Sequence, residues 1–154
     1  MSIKAEFINP FLESTVSVFT TMASIRPVAG TPSVKKEAAV VGDVSAIVGI
    51  TGEAEGSLCL TFTRHCILYI VSRMFGEKKL EIDEEVKDAV GELTNLISGV
   101  SSRALEGIGH HFQGAIPSII SGHSHEIRHM TEGPILSIPF STDAGNFTVE
   151  VCFK

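Results

Sequence analysis

The chain has no tryptophan, one tyrosine and only 12 lysines and arginines against 18 acidic residues. The resulting formal net charge of −6 argues against nonspecific nucleic-acid binding, which needs a basic surface to displace counterions. Cysteine is scarce as well. Cys59, Cys66 and Cys152 form no CxxC or other ligand spacing, and an odd number speaks against a disulfide framework, so they read as small apolar residues in a reducing compartment. No apolar run approaches the ~20 residues that cross a bilayer. The N-terminus lacks the basic region, unbroken apolar stretch and small-residue cleavage site of a signal peptide. A cytoplasmic protein without membrane contact is expected. There is no Cys-x5-Arg loop, which excludes a covalent phosphocysteine route. Ser98, Ser101 and Ser102 have no glycine-bracketed elbow to expose a nucleophile.

What is present is a chain of 154 residues, 44% hydrophobic and 19% charged, the profile of one globular domain over residues 1–154 with a real core. The first helix is expected to begin at Pro10 with Asn9 as N-cap, to bury Phe11, Val16, Phe19 and Met22, and to end before Pro27. After a Gly/Pro/Thr/Ser loop, an extended stretch runs from Glu37 to Ile50 and turns at Thr51-Gly52-Glu53. The return strand, ending near Phe62, alternates Leu58, Leu60 and Phe62 with Ser57, Cys59 and Thr61, the period of a half-buried strand. Thr63 can cap a short helix from Arg64 to Phe75 that Gly76 terminates.

Asp83 caps the longest helix, which carries Glu84 and Glu85 in its first turn and runs to about Leu105. Extended segments follow at Ile116 to Arg128, Ile135 to Thr142 and Phe147 to Phe153. The last two form a hairpin around Asp143-Ala144-Gly145-Asn146, and Pro139 calls for an edge or a bulge. The order α-β-β-α-α-β-β-β predicts an α+β fold with helices packed on an antiparallel β-sheet.

The long helix holds the most informative pattern. At 3.6 residues per turn, Asp88, Glu92 and Asn95 project from one face, while Val86, Val90, Leu93, Ile97, Val100 and Ala104 gather on the opposite one. Gly91 and Gly99 flank the polar row. Each costs ~1 kcal/mol relative to alanine inside a helix, so the pair argues for close packing or close approach by a partner.

The spacing Asp88-x3-Glu92-x2-Asn95, followed by Leu96-Ile97-Ser98-Gly99, resembles the signature of the CheC/CheX/FliY family of chemotaxis phosphatases, and most closely its single-site CheX branch. Asn9-Pro10-Phe11, Thr51-Gly52-Glu53, and Ile138-Pro139-Phe140 with Gly145-Asn146-Phe147 are similar to that branch as well, so the resemblance spans nearly the whole chain. It implies a CheX-like fold and hydrolysis of the aspartyl phosphate of a CheY-like response regulator. Asn95 would orient the attacking water and Glu92 would pair with the regulator's active-site lysine. Asp88, Gly91 and Gly99 would support docking. The resemblance implies no cofactor of the chain's own, Mg2+ being supplied by the phosphorylated regulator, and a homodimer joined across an edge strand. A non-catalytic module that docks on a receiver domain is the alternative. Asn9-x3-Glu13-x2-Val16 stands where two-site relatives carry a second motif; with Val16 in place of the amide, that position should be dead.

Two other constellations compete for a role. His123, His125 and His129 lie along one extended segment, with His110 and His111 upstream. Alternate histidines can hold a metal if their ring nitrogens converge. No cysteine or carboxylate completes the set in clear register, so no metal site is assigned. Cys66 sits near a helix N-terminus, where a thiol pKa can fall, but Ile67 and Leu68 beside it favour burial.

Overall fold

The computed structural model describes residues 5–35, 40–126 and 133–154. A 3-10 turn, Ala5–Phe7, leads into α1 (Ile8–Ala23). Two short strands follow, β1 (Val28–Ala29) and β2 (Ser33–Lys35), and then the long pair β3 (Val41–Gly52) and β4 (Gly56–Phe62). Helices α2 (Arg64–Phe75) and α3 (Glu84–Glu106) come next. The chain closes with β5 (Phe112–Gly114), β6 (Ser118–Glu126), β7 (Ile135–Thr142) and β8 (Gly145–Phe153). The expected α+β class and the order of its main elements hold. Strands β1, β2 and β5 are additional, each too short to show a period of its own.

All strands join one curled antiparallel sheet in the order β1-β7-β8-β4-β3-β5, with β2 also on β7 and β6 also on β3. The register stacks three apolar rows beneath the helices. Val44, Phe62, Phe147 and Phe140 form one; Ala46, Leu60, Val149 and Ile138 the next; Val48, Leu58, Val151 and Leu136 the third. Phe147 anchors the first row, stacked on Phe19 of α1 at 4.7 Å, on Phe62 at 5.1 Å and on Phe140 at 5.1 Å between ring centroids. Each such buried side chain contributes roughly 1.5–3 kcal/mol.

The opposite face differs from expectation. Every residue of β4 is buried, not one face alone. Short polar side chains there can leave water because they bond to one another: Ser45 Oγ donates to Thr61 Oγ1 at 3.0 Å, and Cys59 Sγ lies 3.6 Å from Thr61 Oγ1.

Further differences concern helix ends and faces. The start of α1 lies at Ile8, not Pro10, and Phe7 occupies the N-cap with helical angles and no side-chain cap bond. Phe7 is fully buried against the rings of His110, Phe112 and Phe153, which draws the helix back through the 3-10 turn. Pro10 then falls in the first turn, where its missing N–H has no intrahelical role. Met22 is 36% exposed and Ala104 is exposed, each at the margin of its helix's apolar face rather than within it. Thr63, Gly76 and Asp83 cap their helices as the sequence indicates.

The terminal hairpin turns on Asp143 and Ala144, with Thr142 opposite Gly145. Its outer edge is covered within the chain. The Pro139 carbonyl accepts from Gly30 N at 2.7 Å, so the side of β7 on which proline lacks an N–H is where β1 gives way to β2. Strand β6 has one neighbour, β3, and leaves its other edge unpaired among the described residues.

Candidate functional site

Helix α3 is held from below along its full length. Val86, Ala89, Val90, Leu93, Ile97 and Leu105 enter the core, and Thr94 and Ser101 bury their hydroxyls by donating to the Val90 and Ile97 carbonyls. The Asp83 carboxylate accepts from Val86 N at 2.9 Å, which satisfies an orphan donor of the first turn. Lys79 clamps this end through Asp83 at 3.0 Å and Glu85 at 2.9 Å. The backbone interactions that hold Asp83 carry its carboxyl below the usual range, with Lys79 adding to them.

A helix fixed in this way presents Asp88, Glu92 and Asn95 outward. All three are exposed, and among the described residues none has a hydrogen-bond or ion-pair partner. Helix geometry sets Glu92 about 6 Å beyond Asp88, and Asn95 about 4.5 Å beyond Glu92, along the axis. The stripe therefore offers two carboxylates and a carboxamide with their bonding capacity uncommitted.

The two glycines differ. A β-carbon on Gly91 would meet Ile119 of β6 at 3.5 Å, so that position faces the flank of the stripe where the sheet edge runs beneath it. On Gly99, among the described residues, the one neighbour within 4 Å outside the helix's own backbone would be Arg103 Nη1 at 3.7 Å, which leaves the helix without a side chain on the side of Asn95. Arg103 escaped the sequence reading. The signal was its spacing, one helical turn past Gly99 on the same polar face. In α1, Glu13 is exposed and Val16 packs against the core, so the surface there offers no carboxamide at the third position of the motif.

The histidines are dispersed. His123 is largely exposed, with Nδ1 3.4 Å from Asp43 Oδ1. His125 turns the other way, its Nδ1 2.8 Å from the Gly122 carbonyl and its Nε2 2.7 Å from Ser45 Oγ. His129 lies outside the described residues. His110 is buried between Glu53 and Glu6, and His111 lines a cavity of about 230 Å³ with Gly52, Glu106, Phe112 and Gln113. Among the described residues no three histidine, cysteine or acidic groups are placed to hold a metal ion.

Asp43 is held lower than an ordinary carboxyl by the N–H of Ser124 and then that of Arg64, at 3.0 and 2.7 Å, which makes it a brace between β6 and α2. Burial pushes the Cys66 thiol up to about 11 and Cys59 to about 12, so neither is a thiolate nucleophile. No helix is long and apolar enough to cross a membrane, among the described residues.

Comparison with known proteins places the chain in a family. A family model described as the chemotaxis phosphatase CheX matches residues 44–141, which include all of α3. The CheY-P phosphatase CheX of Thermotoga maritima is 31% identical over 138 residues, 89% of this chain and 88% of its own. The crystal structure of a chemotaxis protein CheX from Desulfovibrio desulfuricans is similar with a TM-score of 0.91 and 48% identity, over 97% of this chain and 99% of that one. A CheX-CheY-BeF3-Mg2+ complex from Borrelia burgdorferi contains a chain similar at TM-score 0.80 and 25% identity, over 98% of this chain and 99% of that one.

Proposed function

The chain belongs to the chemotaxis phosphatase CheX family, and we propose that it hydrolyses the aspartyl phosphate of a CheY-like response regulator. An aspartyl phosphate is a reactive acyl phosphate, so the protein needs little covalent chemistry of its own. What accelerates hydrolysis is a water held in line with phosphorus. Asn95 supplies this. Its carboxamide donates and accepts hydrogen bonds and carries no charge to repel phosphoryl oxygens.

Glu92, one turn earlier, pairs with the lysine beside the regulator's phosphorylation site and fixes the docking register. Asp88, Gly91 and Gly99 extend the contact surface. The Mg2+ belongs to the regulator; the Borrelia burgdorferi complex of CheX with CheY, BeF3 and Mg2+ supports that division. A CheY-like substrate puts the reaction in the cytoplasm, with residues 1–154 as one working domain. The edge of β6, unpaired among the described residues, supports a homodimer joined sheet to sheet.

The observation that carries the reading is the row Asp88, Glu92 and Asn95, exposed and without a partner among the described residues, on a helix whose other face is locked into the core. The backbone that carries these groups is already fixed, so docking has only their side chains to order. Orienting one water is worth about 2–4 kcal/mol in the transition state, roughly a hundredfold in rate.

The test is release of label from a 32P-phosphorylated CheY-like regulator, by the protein and by its Asn95→Ala variant. Loss of most of the acceleration in a variant that still binds establishes the mechanism. Full activity in Asn95→Ala refutes it. Binding without acceleration by either protein favours the alternative, a receiver-docking module without catalysis.

A further inference from the structure

We propose that Arg103 sets the direction in which a phosphorylated receiver lies across α3, by pairing with an acidic side chain of the receiver next to its phosphorylation site. The inference rests on the reading of Glu92 and Asn95 given above.

The charges of α3 divide into those spent inside the chain and those left open. At the N-terminal end Lys87 pairs with Glu84 at 3.2 Å, and Lys79 binds Asp83 and Glu85. Past Asn95 the helix carries a single base, Arg103. It is exposed, and among the described residues no carboxylate lies within 4.0 Å of it. Glu106, near the end of the helix, lines the cavity with Gly52 and His111.

The side chain of Arg103 does not extend away from the site. Its Cα stands about 12 Å beyond that of Asn95 along the axis, yet its Nη1 lies 3.7 Å from the place a β-carbon would take on Gly99. The guanidinium therefore lies back over the bare turn and stands about one turn from the amide.

This makes the stripe polar along its length. Asp88 and Glu92 are negative before the amide, and Arg103 is positive after it. A receiver presenting its lysine to Glu92 and a carboxylate to Arg103 fits in one orientation. Turned end for end, it would bring like charges together at both points, which interfaces strongly disfavour. The planar fork of arginine suits a carboxylate better than a point charge does. Since the guanidinium stands a turn away from Asn95, Arg103 is a positioning residue and the chemical step does not pass through it.

The experiment compares the wild-type protein with Arg103→Ala, Arg103→Glu and Asn95→Ala. Dephosphorylation of a 32P-labelled CheY-like receiver is followed against receiver concentration at low and high salt. Binding is measured with the same receiver activated by BeF3 and Mg2+. Arg103→Ala should raise KM about tenfold and weaken binding to match, with kcat held within about twofold, as expected for one charge-assisted contact made before the chemistry. Arg103→Glu should be weaker still, and the salt dependence of binding should flatten in Arg103→Ala. Unchanged KM and salt dependence in Arg103→Ala, beside an inactive Asn95→Ala, overturns the inference and leaves the phosphatase reading standing. A fall in kcat with unchanged KM also overturns it. A wild-type protein that accelerates nothing removes the reading and the inference together.

Discussion

Gly114 and Ser98 meet so closely that no side chain fits between β5 and the turn of α3 that follows Asn95: a β-carbon on Gly114 would overlap Ser98 Oγ and crowd Val48. The contact sets how deeply the motif helix sits against the sheet edge. Gly114→Ala obliges Ser98 Oγ to turn to another rotamer and Val48 to give way, and should cost about 1–3 kcal/mol through overpacking, with a fall in turnover where the strain reaches the helix. Thermal unfolding and phosphatase assays below the transition read the two effects. An unchanged Tm would show that the Ser98 hydroxyl turns aside without cost.

Glu92 is exposed and has no hydrogen-bond or ion-pair partner among the described residues. Glu92→Ala should leave the stability within about 0.5 kcal/mol of wild type, the usual range for a surface change. Binding to a BeF3-activated receiver should weaken about tenfold or more, as for a charge pair lost from an interface. Calorimetry of the complex measures this; equal affinity in the variant would remove Glu92 from the docking surface.

Gly99 makes a prediction of opposite signs. A β-carbon there meets only the flexible end of Arg103, so Gly99→Ala fits the fold. The helix should gain up to about 1 kcal/mol, since glycine is the poorer helix former by that amount. Docking should weaken because the bare turn is filled. A higher Tm with a higher KM is the expected pair, and a higher Tm with unchanged KM would assign the glycine no part in recognition.

His110 gives the fold a dependence on pH. Its Nδ1 lies 2.9 Å from Glu53 Oε2 and its Nε2 2.8 Å from Glu6 Oε1. Two carboxylate acceptors ask for a proton on each ring nitrogen, so Glu53 first and Glu6 next raise the pKa above the ordinary histidine value, against the opposing effect of desolvation. A pKa higher in the folded state than in the unfolded one stabilises fully below the unfolded value, near ~6.5, and the gain fades as pH rises through the folded value. The wild-type Tm should therefore fall from pH ~6.5 toward alkaline pH more steeply than that of His110→Gln. Parallel curves would mean that folding does not raise the pKa of this ring.

The sequence alone determined the long helix, its caps and its polar row. Asp83, the periodicity of Val86, Val90, Leu93 and Ile97, and the spacing of Asp88, Glu92 and Asn95 are local facts, governed by 3.6 residues per turn and by the hydrogen-bonding needs of helix ends. The alternation in β4 placed Leu58, Leu60 and Phe62 beneath the helices for a similarly local reason.

Tertiary structure decided what depends on contacts between distant segments. The burial of both faces of β4 required Ser45 and Thr61 to be brought side by side, 16 positions apart, so that their hydroxyls could satisfy each other. The covering of β7 by β1 and β2 came from strands too short to reveal themselves by pattern. The early start of α1 came from the pull of Phe7 into a cluster with His110 and Phe153. Side-chain direction was likewise beyond the sequence: the spacing puts Arg103 on the right face, but only packing shows its guanidinium lying over Gly99 toward Asn95. Helical periodicity specifies which residues share a face, and the packing of the whole chain specifies where their ends reach.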